Sequence, residues 1–282
     1  MDLTFKALGH YGRLGNQLFQ IASTIGIAIK NGGDYYFPHS WRDPDPNQLG
    51  ATHHSTPWAY QNLFVSPLPT SDKDIEFLHD EGAYCDYQDI LLPENKSCGL
   101  HGYYQSYKYF SHCEDIVRYY LTPKEAYLKY LLYRYPILLT DHFTALHFRR
   151  GDYKTLKEVY CQLDEPPLVE YYHQATDHLN AKNLMIFSDD ISYMKENMPN
   201  PSGRIIFIDM AHDLLSLFLM SLCKDHIIAN SSFSWWGAWL SASPDKRVVA
   251  PRNWYTPQHL KQNYRRPETV MENLIPETWT LL

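Results

Sequence analysis

Two adjacent arginines, a glycine and an aspartate (Arg149, Arg150, Gly151, Asp152) follow the apolar stretch FTALHF at residues 143–148. An arginine at the carboxyl end of a parallel strand points into the crevice where α/β sheets bind ligands, and its planar guanidinium can hold a phosphate through two hydrogen bonds. Neighbouring strand residues face opposite sides of a sheet, so if the strand runs through both arginines they cannot share one ligand. Arg149, on the face of His147, is the expected phosphate ligand. Arg150 is expected to be structural, with Asp152 as its candidate partner. The plain alternative is a salt bridge that closes a surface turn.

Three further constellations carry polar groups that could act with it. IFSDD (186–190) ends an apolar run with Ser188, Asp189 and Asp190, where a carboxylate can accept from a base or ribose, or cap a helix over ISYMKEN. Adjacent aspartates lack the DxD spacing of a manganese site, and Asp43-Pro44-Asp45 falls in a proline-rich loop, so no metal is expected. GHYGRLGNQ spaces Gly9, Gly12 and Gly15 as GxxGxxG before a helix; small residues let backbone amides approach a phosphate, with Arg13 and Asn16 as added donors, unless the segment is an ordinary βα turn. ANSSFSWWGAWLSAS (229–243) places Asn230, Ser231 and Ser232 ahead of Phe233, Trp235, Trp236 and Trp239. The tryptophans at i and i+4 belong to a packed helix face, while the serines at its start could bind the phosphates that Arg149 neutralises.

The elements that must position these residues alternate between apolar β-prone runs and helical patterns, which predicts an α/β fold. Strands are expected at 3–8, 98–104, 143–150, 183–190, 204–209, 226–230 and 247–251, with 34–37 as a further candidate. A helix is expected from Asn16 to Gly32, and others over 123–134, 168–181, 211–222 and 233–242. The domain boundary is placed near 135–142.

Composition narrows the function classes. A net charge of −7 argues against a broad nucleic-acid or anionic-membrane surface. Five scattered cysteines without a CxxC pair fit free thiols in a reducing compartment. No signal peptide or membrane-spanning stretch is expected.

In chain order, GRLGNQLFQ, GYYQSYKYF (102–110), HFRRGDY, FSDD, SSFSWWGAWLS and APRNWY resemble the α-1,2-fucosyltransferases of glycosyltransferase family 11, a likeness spanning roughly residues 9–255. It implies a GT-B-like α/β fold: two Rossmann-like domains facing a cleft, 1–138 on the acceptor side and 139–282 holding GDP-β-L-fucose. It also implies inverting, metal-independent transfer of fucose to the 2-hydroxyl of a galactose-terminated oligosaccharide, without a cofactor. By the same resemblance Arg149 meets the donor β-phosphate, Asp190 the guanine and His147 the nucleoside. Ser231, Ser232 and Phe233 then meet the pyrophosphate, flanked by Asn230, Ser188 and Asp189. Arg13, Gly15, Asn16 and Gln17 close the cleft from the opposite domain.

For the acceptor hydroxyl, Asp152 is the nearest carboxylate in the motif, as base or as the brace of an arginine; His10 and the departing phosphate are the other proton acceptors. The resemblance to bacterial members implies a cytoplasmic enzyme, peripheral at the inner membrane face. A fucosyltransferase forming another linkage, or a non-catalytic carbohydrate-binding protein, is the competing reading.

Overall fold

The computed structural model describes residues 1–9, 12–39, 64–81, 86–163, 170–197, 202–209 and 212–282. His10, Cys85 and the Asp43-Pro44-Asp45 triplet lie outside them. The chain divides into two compact units, Met1–Glu125 with Glu268–Ile275, and Ala126–Pro267 with Pro276–Leu282. The changeover thus falls at 125/126 against the 138/139 expected from sequence, and residues 268–275 belong with the first unit.

In the first unit the described strands are β1 (Asp2–Thr4), β2 (Asp34–Tyr36), β3 (Phe77–Asp80) and β4 (Ser97–His101), ordered β2-β1-β4-β3 with every pairing parallel. Helix α1 (Leu14–Lys30) follows β1 and is buried on nearly all sides from Leu14 to Ala28, as its apolar sequence requires. Helix α2 (Glu114–Leu121) completes the described helices before the changeover. The strand expected over 3–8 stops at Thr4, because the chain turns there and the Leu8 N–H donates back to the Phe5 carbonyl.

Helix α3 (Glu125–Arg134) leads into the second unit. There β5 (Thr144–Phe148), α4 (Glu170–Leu179), β6 (Leu184–Ser188), α5 (Ile191–Asn197), β7 (Ile205–Asp209), α6 (Asp213–Ser221), β8 (Asp225–Ile227), α7 (Ser232–Leu240), β9 (Val248–Ala250) and β10 (Thr280–Leu281) follow in order. The sheet runs β10-β9-β8-β5-β6-β7, again parallel. Strands β5 and β6 are buried at every residue, which is why both read as continuous apolar runs rather than alternating ones. The helices expected over 123–134, 168–181, 211–222 and 233–242 form to within two residues at either end. Trp235 and Trp236 are fully buried, and Trp235 stacks on Trp239 at 6.3 Å and meets Trp279 at 5.4 Å, so the tryptophans are core.

At the amino end of β8, Asp225 is buried. It accepts the Arg247 backbone N–H at 2.9 Å, pairs with the Arg247 guanidinium, and lies 3.1 Å from His142. Among the described residues no helix is long and apolar enough to cross a membrane.

Candidate active site

Parallel pairing sets Phe148 beside Ser188, so the turns leaving β5 and β6 emerge side by side at the carboxyl edge of the larger sheet. β5 ends at Phe148, before either arginine. Strand alternation therefore does not govern where the two side chains point. The chain turns through Gly151 into a 3-10 turn, Asp152–Thr155. A Cβ on Gly151 would stand 2.7 Å from Asp189 Oδ2, so this approach needs glycine.

Asp189 is the brace that the close approach serves. Its Oδ1 accepts the Arg150 N–H at 2.9 Å, its Oδ2 accepts the Gly151 N–H at 3.1 Å, and the same oxygen is 3.0 Å from Arg149 Nη1. Arg149 Nη2 donates to Asp152 Oδ1 at 2.6 Å. Asp152 thus pairs with Arg149, where the sequence offered Arg150 as its candidate partner.

Arg150 instead reaches Asp190, Nη1 to Oδ2 at 2.7 Å, with its guanidinium 3.9 Å from the centroid of the Tyr193 ring. The other Asp190 oxygen accepts the Tyr193 N–H at 3.1 Å at the start of α5, and this bond, assisted by Arg150, holds the Asp190 carboxyl below the usual carboxylate range. Ser188 Oγ accepts the Asp190 N–H at 2.9 Å, so Ser188 shapes this turn as well.

His147 is buried on β5. Burial, and then the Arg149 charge, push its pKa down to about 3, so the ring is neutral at physiological pH. Its Nδ1 has no hydrogen-bond partner among the described residues, and the ring lies 5.4 Å from that of Phe233.

β8 lies next to β5, and its exit supplies the amino end of α7. Ser231 is the extended N-cap residue, and its hydroxyl does not cap the helix. The first-turn amides of a helix have no acceptor one turn back, and together they attract an anion. Asn230, expected at the donor, is buried, and its Nδ2 donates to the carbonyls of Cys161 and Trp254, each at 2.9 Å.

Tyr153 ties the two halves of this edge together. Its hydroxyl donates to the Asn230 carbonyl at 2.8 Å, and its ring lies 5.7 Å from the Arg149 guanidinium and stacks on Tyr160 at 4.2 Å. Sequence reasoning passed over it, although it closes HFRRGDY; a buried tyrosine needs a partner for its hydroxyl, and the motif's last letter was the available signal.

The remaining expected residues belong to the first unit. Arg13 is the exposed, extended N-cap residue of α1, with Gly12 at φ +82° before it. Gly15 is buried in the first turn. Gln17, expected at the donor, is buried too and donates to the Gly12 carbonyl at 3.0 Å, so it holds the loop's shape. Asn16 Oδ1 accepts from Gln105 Nε2 at 2.6 Å.

Comparison with known proteins places this arrangement. The model of the family described as Glycosyl transferase family 11 matches residues 73–273. The chain is 35% identical over 130 residues to the O-antigen biosynthesis glycosyltransferase WbnK of Escherichia coli, covering 44% of this chain and 43% of that protein. To an Escherichia coli α-1,2-colitosyltransferase it is 31% identical over 173 residues, covering 59% of each. The chain therefore spans 43% and 59% of the lengths of these two relatives. In fold it is similar to the fucosyltransferase NodZ from Bradyrhizobium, with a TM-score of 0.53 and 11% identity over 85% of this chain and 93% of that one. This likeness of fold bears out the α/β, GT-B-like class expected from the sequence.

Proposed function

Since the chain belongs to glycosyltransferase family 11, we propose that it transfers L-fucose from GDP-β-L-fucose to the 2-hydroxyl of a terminal galactoside, with inversion at the anomeric carbon. The observation that carries this reading is the meeting of Arg149 and the amino end of α7 at the carboxyl ends of adjacent strands, joined by the Tyr153 to Asn230 hydrogen bond of 2.8 Å. A diphosphate needs such a pair: a fixed cation and a fan of backbone donors.

In the reaction the acceptor oxygen forms a bond to C1 of fucose from the face opposite the diphosphate. The C1–O bond breaks, and its electron pair leaves on the GDP β-phosphate. Arg149 and the first-turn amides of Ser232 and Phe233 stabilise that developing charge, supported by the Ser231 hydroxyl. Because these groups are held in place before the reaction, no divalent cation or cofactor is needed. Asp152 braces Arg149 in this reading, and along a dissociative path the departing diphosphate receives the hydroxyl proton. Asp189, tied to two backbone amides, helps Asp152 keep the guanidinium aimed at the diphosphate. Guanine recognition falls to the Ser188–Asp190 turn, with Asp190 the acceptor and His147 a neutral neighbour of the nucleoside. Arg13, Gly15 and Asn16 form the counterpart loop in the other unit.

The 31% identity to an α-1,2-colitosyltransferase favours one alternative donor: colitose, which is fucose lacking its 3-hydroxyl. Incubation with lactose and each GDP-sugar in turn, followed by NMR of the product, tests both. An α-1,2 product formed from GDP-fucose at a rate unchanged by EDTA is expected. A strict need for manganese or magnesium, another linkage, or turnover confined to GDP-colitose overturns the corresponding part.

A further inference from the structure

One buried carboxyl group is unused by the mechanism above. Glu81 follows β3, continues its ladder by donating its N–H to the His101 carbonyl at 3.0 Å, and is only 4% exposed. Its Oε2 accepts two successive backbone N–H groups, Tyr103 at 2.9 Å and Tyr104 at 2.5 Å, while Oε1 is buried without a hydrogen-bond partner among the described residues. Burial raises its carboxyl well above the ordinary range, against the pull of the two amide hydrogen bonds, and one oxygen serves both amides as acceptor.

The turn it holds is not one the chain adopts unaided. Gly102 has φ +138°, and a Cβ there would stand 2.7 Å from the Glu81 Cβ. Tyr104 has φ +49°, a left-handed region that is strained for a bulky side chain and persists only where surrounding contacts over-determine it. The contacts are present on both sides of the backbone. Ser23 donates to the Tyr104 carbonyl at 2.9 Å, Gln20 to the Gly102 carbonyl at 3.4 Å, and the Tyr104 hydroxyl to the His79 carbonyl at 3.0 Å. Helix α1 thus reads the carbonyls of the turn and Glu81 its amides. The next side chain, Gln105, donates to Asn16 at the start of α1, so the turn and the Gly12–Gln17 loop are held as one piece.

We propose that Glu81 is a positioning residue of the acceptor side, whose carboxyl group shapes the Gly102–Gln105 turn and, through Gln105, places Asn16 to receive the sugar acceptor. The assignment rests on the reading that this unit binds the acceptor.

Three measurements on the purified chain test it: the KM for lactose with saturating GDP-fucose, the Kd for GDP by calorimetry, and amide hydrogen exchange across residues 102–105. Losing two hydrogen bonds predicts that Glu81→Ala raises the lactose KM by about tenfold or more, with GDP affinity within about twofold of the parent. Faster exchange at Tyr103 and Tyr104 should accompany it. Glu81→Gln, which keeps an acceptor oxygen in place, should restore all three. If Glu81→Ala does not fold, Glu81→Asp, one methylene too short to reach both amides, is expected to show the same pattern. A Glu81→Gln variant as impaired as Glu81→Ala, amides that stay protected without the carboxyl group, or GDP affinity falling in step with the lactose KM each overturns the proposal. A parent protein that turns over no lactose would defeat the reading of function, while the exchange measurement would still decide whether Glu81 holds the turn.

Discussion

The carboxyl edge of the larger sheet and the loop region of the smaller one are built on the same plan and filled with opposite chemistry. In the larger sheet Arg149 and Arg150 are interlaced with Asp152, Asp189 and Asp190, so that each guanidinium is held by carboxylates at 2.6–3.0 Å. In the smaller one the Gly12–Gln17 loop and the Gly102–Gln105 turn are joined by hydrogen bonds of amide groups: Gln17 to a backbone carbonyl, Gln105 to Asn16, and two backbone amides to Glu81. A preorganised cation suits a leaving diphosphate, whose charge grows as the bond breaks, whereas an uncharged sugar is recognised by shape and neutral hydrogen bonds. On the proposed reaction the ion-paired edge serves the donor, and the amide-bonded region, Arg13 apart, the acceptor.

The sharpest way to break this contrast is Arg149→Ala. Loss of one preorganised donor to a developing oxyanion typically costs about 100- to 1000-fold in kcat. Thermal stability should stay near that of the parent, because the side chain is at the sheet's edge and not in its core. Wild-type turnover would mean that the charge cluster merely closes a turn.

Asp225 supplies the control within the same sheet, an ion pair at the amino rather than the carboxyl end of a strand. Burial on its own would raise the Asp225 carboxyl, but the hydrogen bonds and charge of Arg247 outweigh it and hold the group below the usual range. Its contribution to stability is therefore complete above the unfolded-state value of about 3.9 and is lost as pH falls through the lower folded value. Asp225→Asn should cost about 3 kcal/mol near neutral pH, with kcat little changed. The Tm gap between variant and parent should close on acidification, and a gap constant from pH 7 to about pH 3 would remove the carboxylate from the account.

Smallest of the three is Tyr153→Phe, which keeps the stacked ring and removes the hydroxyl's bond to the Asn230 carbonyl together with its side-chain hydrogen bond to Ser231. A neutral buried hydrogen bond of about 0.5–1.5 kcal/mol predicts a fall in kcat of roughly two- to tenfold, with lactose KM unchanged. An effect on lactose KM alone would assign Tyr153 to the amide-bonded side of the comparison.

Much of this edge was legible before any coordinates. The apolar runs that became β5 and β6 announce buried parallel strands, and the helix carrying Trp235, Trp236 and Trp239 declares its packed face through spacing. The location of Arg149, Asp189 and Ser231 at strand ends follows from the same alternation of elements. Their partners did not. That Arg149 reaches Asp152 depends on β5 ending one residue before the arginines, and strand ends are where local pattern is least informative. Glu81 carried no local signal at all, since the amides it holds are 22 and 23 positions away.

By itself the sequence determined the α/β class, the order of the polar turns along the chain and the membership of the family, because hydrophobic periodicity and short motifs are local properties that survive without coordinates. Only the tertiary structure decided which partners the polar groups take. It tied Asp189 to two backbone amides, Asn230 and Gln17 to backbone carbonyls, and it set Tyr153 beneath Arg149. The physical reason is that a side chain's role depends on its nearest partner, and in a parallel sheet that partner comes from a neighbouring strand dozens of residues away.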